Sequence, residues 1–326
     1  MIEVLRVLGW ILVVLILGIG AVLLFGPREP VETEVTFDAA DLPEDLDSWL
    51  AEREAALGDV TPGVERRIHW AGAPGAVTPV SVIYLHGFSA TSEEIRPVPD
   101  RVAEALGANL FYTRLSGHGR GSAAMAEPVV GDWIEDLAEA LAIGRRIGER
   151  VVIVATSTGG TLASLAAVDE ALSRDVAGIV FVSPNFGLRN PAAKLLSLPF
   201  VRHWGPVVAG AERGFEPRNE GHSTYWTTRY PIAATVPMAA LVDHAASLDF
   251  GRARVPALFV YSEDDVIVSP EATFAVYDAW GEAKARELLV MGPGDDPGSH
   301  VIAGDIMSPG QTDRASAVIT KWVQGL

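Results

Sequence analysis

From about residue 64 onward, six short apolar runs alternate with helical patterns, and this alternation confines the chain to very few architectures. The runs lie at residues 81–85 (SVIYL), 109–113 (NLFYT), 151–155 (VVIVA), 177–182 (AGIVFV), 257–261 (ALFVY) and 286–290 (RELLV). Each is too short for a core helix and apolar on successive residues, as in a strand buried on both faces. Helical patterns fall between them, near residues 93–106, 133–147, 161–172, 271–280 and 313–323. Strands alternating with helices predict an α/β fold, with a mostly parallel central sheet flanked by helices. Residues 64–71 read as an earlier strand at the sheet edge. One connection breaks the rhythm. About 70 residues rich in Pro, Trp and Tyr separate the strand ending at Val182 from the one starting at Ala257. Connections this long form a subdomain or carry function, so residues 187–252 are expected to form an inserted helical cap.

The N-terminus imposes a second constraint. Residues 7–25 (VLGWILVVLILGIGAVLLF) form an uncharged run of 19 residues. At 1.5 Å per residue this nearly crosses a hydrocarbon layer of ~30 Å. It exceeds the usual apolar segment of a secretory leader, and Leu23-Leu24-Phe25 offers no small-residue cleavage site. The expectation is an uncleaved transmembrane anchor within residues 1–28. A juxtamembrane linker and helix would follow over 29–63, and the globular domain over 64–326. Arg6 and the amino group outweigh Arg28 on the other flank by about one charge, favouring an extracytoplasmic globular domain.

Composition removes several classes of function. The formal charge is −17, which leaves no basic surplus for a nucleic-acid partner. There is no cysteine, so disulfides, thiolate zinc sites and cysteine nucleophiles are excluded. The remaining histidines, His69, His118, His203, His222 and His244, show no ligand-like spacing, and no metal is expected.

Chemistry concentrates at three strand ends. In residues 151–162 (VVIVATSTGGTL) an apolar run meets a turn and then a helix. Ser157 stands at the turn, where its hydroxyl would project above the sheet. Strand and helix pass close together there, which calls for small residues at Ala155 and Gly159. A second piece, Tyr84-Leu85-His86-Gly87-Phe88, follows a strand. The backbone N–H groups of Phe88 and Thr158 are the expected donors to a developing oxyanion. His86 precedes the serine in the chain and is expected to be structural. The third pair of pieces lies late in the chain. Glu263, Asp264 and Asp265 follow a strand, and a carboxylate there could orient a histidine. His300 sits on the Gly-containing loop 297–302. Its ordinary pKa of about 6.5 suits proton transfer near neutrality.

These pieces, with Arg114-Leu115-Ser116-Gly117-His118-Gly119-Arg120 and Asp132-Trp133-Ile134-Glu135-Asp136-Leu137, resemble the monoacylglycerol lipase and lysophospholipase-like branch of the α/β-hydrolases. That branch is also named for serine aminopeptidases. The resemblance covers about residues 64–324. It implies the α/β-hydrolase fold, ester hydrolysis through an acyl-enzyme, and a cap between the sixth and seventh core strands. The order Ser157, acid, His300 is the one this architecture requires. In the resembling family the acid is followed by one variable residue and two aliphatic ones, which favours Asp265 over Asp264. Ala155 departs from the family's usual glycine, and the N-terminal anchor is an addition to it.

The function expected is therefore a membrane-anchored carboxylic ester hydrolase, with Ser157, His300 and Asp265 as triad and a small-molecule acyl ester as substrate. It requires no cofactor. Aminopeptidase or amidase chemistry on the same triad is a second reading, since Glu212, Glu216 and Glu220 in the insertion could hold a free amino group. Acyl transfer to an acceptor other than water is a third. A non-catalytic binding protein that keeps the hydrolase fold is a fourth, though binding alone gives no chemical reason to keep a triad.

Overall fold

Buried strands of β-branched and aromatic residues build one sheet, and the helices between them cover both of its faces. The computed structural model describes residues 2–326. In chain order the elements are α1 (Ile2–Phe25), α2 (Leu46–Ala55), β1 (Arg67–His69), β2 (Thr78–Leu85), α3 (Val98–Leu106), β3 (Asn109–Tyr112), α4 (Val130–Ile147), β4 (Gly148–Thr156) and α5 (Thr158–Val168). There follow β5 (Val176–Val182), α6 (Val201–Ala209), β6 (Glu212–Gly214), α7 (Glu220–Tyr225), β7 (Arg229–Pro231) and α8 (Thr235–Ala246). The chain ends with β8 (Ala257–Tyr261), α9 (Pro270–Ala279), β9 (Lys284–Leu288) and α10 (Thr312–Val323).

Seven strands form the main sheet in the order β1-β3-β2-β4-β5-β8-β9. Only β1 runs antiparallel to its neighbour. Alternation along the strands sorts the side chains into two cores. Ile83, Leu85, Ile153, Ala155, Ile179, Phe181 and Phe259 face α4, α5 and α8. Val82, Tyr84, Val152, Val154, Val180 and Val260 face α3 and α10. The chain winds outward from β2 to β3, then returns across it to β4. The crevice beyond the C-terminal ends of β2 and β4 is thus the switch point, where open α/β sheets place their sites.

Three local expectations shift. The helix expected from residue 93 begins at Val98, because Pro97 keeps the preceding residue out of the helical region. The helix after Ser157 begins at once, at Thr158, and ends at Val168. Its Gly159 and Gly160 are poor helix formers, but close packing against β2 and β5 overrides propensity. The edge strand β9 covers 284–288 rather than 286–290.

The chain between β5 and β8 divides. α8 is buried among α4, α5 and the sheet, so this part of 187–252 belongs to the core. The earlier part, with α6, α7 and the β6–β7 hairpin, lies outside the core layers. Residues 36–55 pack onto the sheet domain. Thr36 and Phe37 N–H donate to Glu135, Leu46 and Leu50 enter the core, and buried Glu54 takes both Nε and Nη2 of buried Arg114. α1 is an exposed apolar helix with a mean hydropathy of 2.9 over its most apolar window.

Candidate active site

Strand β4 delivers Ser157 directly into the first turn of α5. The serine has φ 49° and ψ −116°, a backbone region costing ~1–3 kcal/mol for a residue with a Cβ. The surroundings hold it there. Ser157 N–H donates to Val182 O, and Ser157 O accepts from Thr161 N–H and Asn185 N–H. Gly159 makes the elbow possible, because a Cβ there would lie 2.2 Å from Leu85 O. Ala155 is fully buried and its methyl is accommodated. Of six non-glycine residues with positive φ, Ser89, Ser157, Ser183 and Ser299 lie on the loops of this crevice, where strain collects at functional sites.

The late-chain residues meet the serine. His300 Nε2 is 3.1 Å from Ser157 Oγ, and His300 Nδ1 is 2.8 Å from Asp265 Oδ2. A carboxylate only accepts, so Nδ1 carries the ring proton and Nε2 is free to accept from the serine hydroxyl. Asp265 is itself oriented, its Oδ1 accepting from Ile267 N–H at 2.7 Å and Val268 N–H at 3.0 Å. Asp264 is exposed. The loop carrying His300 is held by buried Asp296, which accepts from the N–H groups of Gly298, His300 and Val301. Burial pushes the His300 imidazole towards neutrality, but the adjacent Asp265 carboxylate reverses this and the net direction is upward from the usual 6.5.

The His86-Gly87-Phe88 turn lies beside the serine: a Cβ on Gly87 would fall 3.1 Å from Ser157 Cβ. His86 is buried and saturated. Its Nδ1 donates to Gly87 O, and its Nε2 accepts from Leu115 N–H. Burial drives its pKa well down, so it is a neutral strut of the turn. Thr158 begins α5, so its N–H has no partner within the helix, while Phe88 N–H donates to no protein acceptor among the described residues. Both expected oxyanion donors are therefore free on the turns that flank Ser157.

One residue of the crevice escaped the sequence reading. Buried Glu94 accepts at Oε2 from Gly87 N–H at 2.7 Å and from Tyr84 OH at 3.1 Å. Tyr84 OH also meets Thr156 Oγ1 at 3.0 Å. The carboxyl thus ties the Gly87 turn to the strand that ends at the serine. Burial raises its pKa to about 7, against the opposing hydrogen bond from Gly87 and the nearby His300. A glutamate in the polar stretch Thr91-Ser92-Glu93-Glu94 carries no local mark of burial; only its position seven residues after Gly87 hints at it.

The outer insertion roofs this arrangement. Thr227 N–H donates to Ser89 O at 2.7 Å, and Tyr230 packs edge-on against Phe88 with ring centres 5.3 Å apart. Arg218 reaches Asp296 at 3.3 Å, and Asn219 Nδ2 donates to Ile306 O. Trp226 is buried in the core under these loops. The aromatic stretch 225–230 is therefore the seam between insertion and site, and Ser157 is only 6% exposed beneath it.

Residues 82–314 match the alpha/beta hydrolase family. A thermostable monoacylglycerol lipase of Bacillus sp. (strain H-257) is 27% identical over 193 residues, which is 59% of this chain and 73% of the lipase. Among solved structures, a metagenome-derived lipolytic enzyme superposes with a TM-score of 0.64 at 21% identity, covering 82% of this chain and 100% of its own. The Paleococcus ferrophilus monoacylglycerol lipase gives 0.57 at 16% identity, over 80% of this chain and 99% of the lipase. With sheet order, elbow and the family match over residues 82–314 in agreement, the chain belongs to the alpha/beta hydrolase family.

Proposed function

We propose that this chain is a membrane-anchored serine hydrolase that cleaves carboxylic esters of lipid type through an acyl-enzyme. The observation that carries the reading is the hydrogen-bonded line Asp265–His300–Ser157 at a strained strand-to-helix elbow. In this mechanism His300 takes the hydroxyl proton as Ser157 Oγ attacks the acyl carbon. The oxyanion that forms is met by Phe88 and Thr158 N–H, each such donor being worth ~3 kcal/mol. His300 then returns the proton to the leaving alcohol. Water, activated by the same imidazole, releases the acid and restores the serine. Asp265 keeps the ring in the required tautomer throughout. Side chains, the two backbone N–H groups and water supply every step.

Lipase relatives support an acyl ester as substrate. The outer insertion, seated on Phe88 and the His300 loop, serves as the cap that admits the acyl chain. α1 serves as the anchor, and the excess of Arg6 and the amino group over Arg28, about one charge, favours an extracytoplasmic domain. An aminopeptidase on the same residues would need a carboxylate to hold a free amino group. Glu212, Glu216 and Glu220 are exposed, and Glu212 pairs with Arg229 at 3.2 Å; ester cleavage is the reading the site supports best.

The test uses a fluorophosphonate probe and two substrate sets. The probe should label the wild type, and Ser157→Ala should lose labelling and more than about 10³ in ester turnover. Nitrophenyl esters of short to medium chain should be cleaved faster than aminoacyl nitroanilides. Undiminished labelling of the variant would refute the nucleophile, and faster nitroanilide cleavage would favour the peptidase.

A further inference from the structure

The end of α1 is clasped to the insertion. Phe200 N–H donates to Pro27 O at 2.9 Å. Arg28 donates to Ser197 O and to Leu23 O, each at 2.7 Å, bridging the insertion and the last turn of α1. Glu29 takes both Nε and Nη2 of Arg202 at 2.6 and 2.5 Å. A Cβ on Gly26 would collide with Pro199, 2.6 Å away. At the centre of this junction Phe200 adopts φ 59°, the left-handed region that a bulky residue enters only when its surroundings impose it.

Around the clasp the surface is apolar. Leu195, Phe200, Val207 and Val208 are 48%, 43%, 85% and 72% exposed. Val207 and Val208 are neighbours in the last turn of α6, and Phe200 directly precedes its first residue. In a chain of net charge −17, residues 176–211 contain no acid and carry Arg189, Lys194 and Arg202. Arg202 is paired with Glu29 and Arg189 with Glu271, so the segment around this apolar face carries little net charge, which suits the headgroup layer of a bilayer.

We propose that this face of the insertion is seated in the headgroup layer of the bilayer that α1 spans. The inference rests on reading α1 as a transmembrane anchor. A spanning helix ends near the interface, so residues bonded to Pro27, Arg28 and Glu29 cannot lie far from the headgroups. Continuity with α1 therefore selects the leaflet as occupant of the apolar face. The clasp then holds the roof over Ser157 against the membrane, and acyl substrates reach the site from the leaflet rather than from bulk water.

The chain lacks cysteine, so single-cysteine variants can each carry one environment-sensitive fluorophore. The full chain is placed in vesicles of phosphatidylcholine and phosphatidylglycerol, with or without a phospholipid carrying a shallow spin label. Dyes at Val207→Cys and Val208→Cys should shift to shorter wavelength and be quenched about twofold or more by the spin-labelled lipid. A dye at Val77→Cys, at the opposite end of β2 from the site, should be unaffected. Adding Glu29→Gln should reduce quenching and slow turnover of a vesicle-embedded ester about fivefold, while turnover of a water-soluble ester stays unchanged. Failure of the full chain to stay with the vesicles at alkaline carbonate would refute the anchor itself. An anchored chain whose Val207 dye is not quenched would overturn this proposal alone. So would a wavelength shift that needs no lipid and grows with protein concentration, since a second copy would then cover the face.

Discussion

Two adjacent carboxylates show how much one residue's register matters. Asp264 and Asp265 follow the same strand, yet only Asp265 is buried against His300. Asp265→Asn keeps a polar group but can support the wrong imidazole tautomer, and ester turnover should fall by about 10⁴. Asp264→Asn, at an exposed position, should cost less than about tenfold. The same pair sets the pH profile. In the proposed mechanism His300 must be neutral to accept the serine proton, and Asp265 holds its pKa above the usual 6.5. Measured kcat/KM should therefore fall as pH drops, with the midpoint of the acid limb above 6.5. Ionised Glu94 acts in the same direction, and because burial raises its own pKa to about 7 the two groups titrate together across the acid limb. Glu94→Gln should move the acid limb to lower pH while keeping an acceptor for Gly87 N–H. Glu94→Ala should instead strand Gly87 N–H, at about 1–3 kcal/mol, leave Tyr84 OH with Thr156 alone, and lower both Tm and turnover. An unmoved acid limb in Glu94→Gln would show that its charge does not reach His300.

At the scale of elements, the strand-to-helix elbow is the most demanding piece of the fold. α5 crosses β2 so closely that only glycine fits at 159. Gly159→Ala must push the helix off the strand. Thermal unfolding should fall by more than about 5 °C, in line with strain of several kcal/mol, and activity should fall with it because Thr158 N–H moves. Ala155 is the contrasting case: its fully buried methyl is part of the core. Short buried strands were legible from their apolar runs, since burial on both faces leaves no polar alternation to misread. Helix starts were less legible. Pro97 delays α3, and packing rather than propensity starts α5. The insertion was legible as a long connection, but α8 within it is a core helix, a fact set by its packing against α4 and α5, much earlier in the chain.

For the whole molecule, the apolar α1 and the acidic domain make opposite demands on solvent. The full chain should sediment with membranes and resist carbonate extraction. A chain starting at Val31 should be soluble and should keep its turnover of water-soluble esters, because the packing of residues 36–55 and the crevice remain intact. Recovery of the full chain in the soluble fraction with a shortened N-terminus would show α1 to be a leader. Much of this protein was determined by sequence alone. The strand and helix alternation, the elbow at Ser157, the order of serine, acid and histidine, and the long apolar run are all local patterns, and local patterns survive in one dimension. Tertiary structure decided the rest. Glu54 meets an arginine 60 residues away, and Glu29 meets an arginine 173 residues away. Glu94 is buried only because β2 and the Gly87 turn close over it. Such pairings depend on how the sheet winds about β2, and neither residue of a distant pair carries a local periodicity that names its partner.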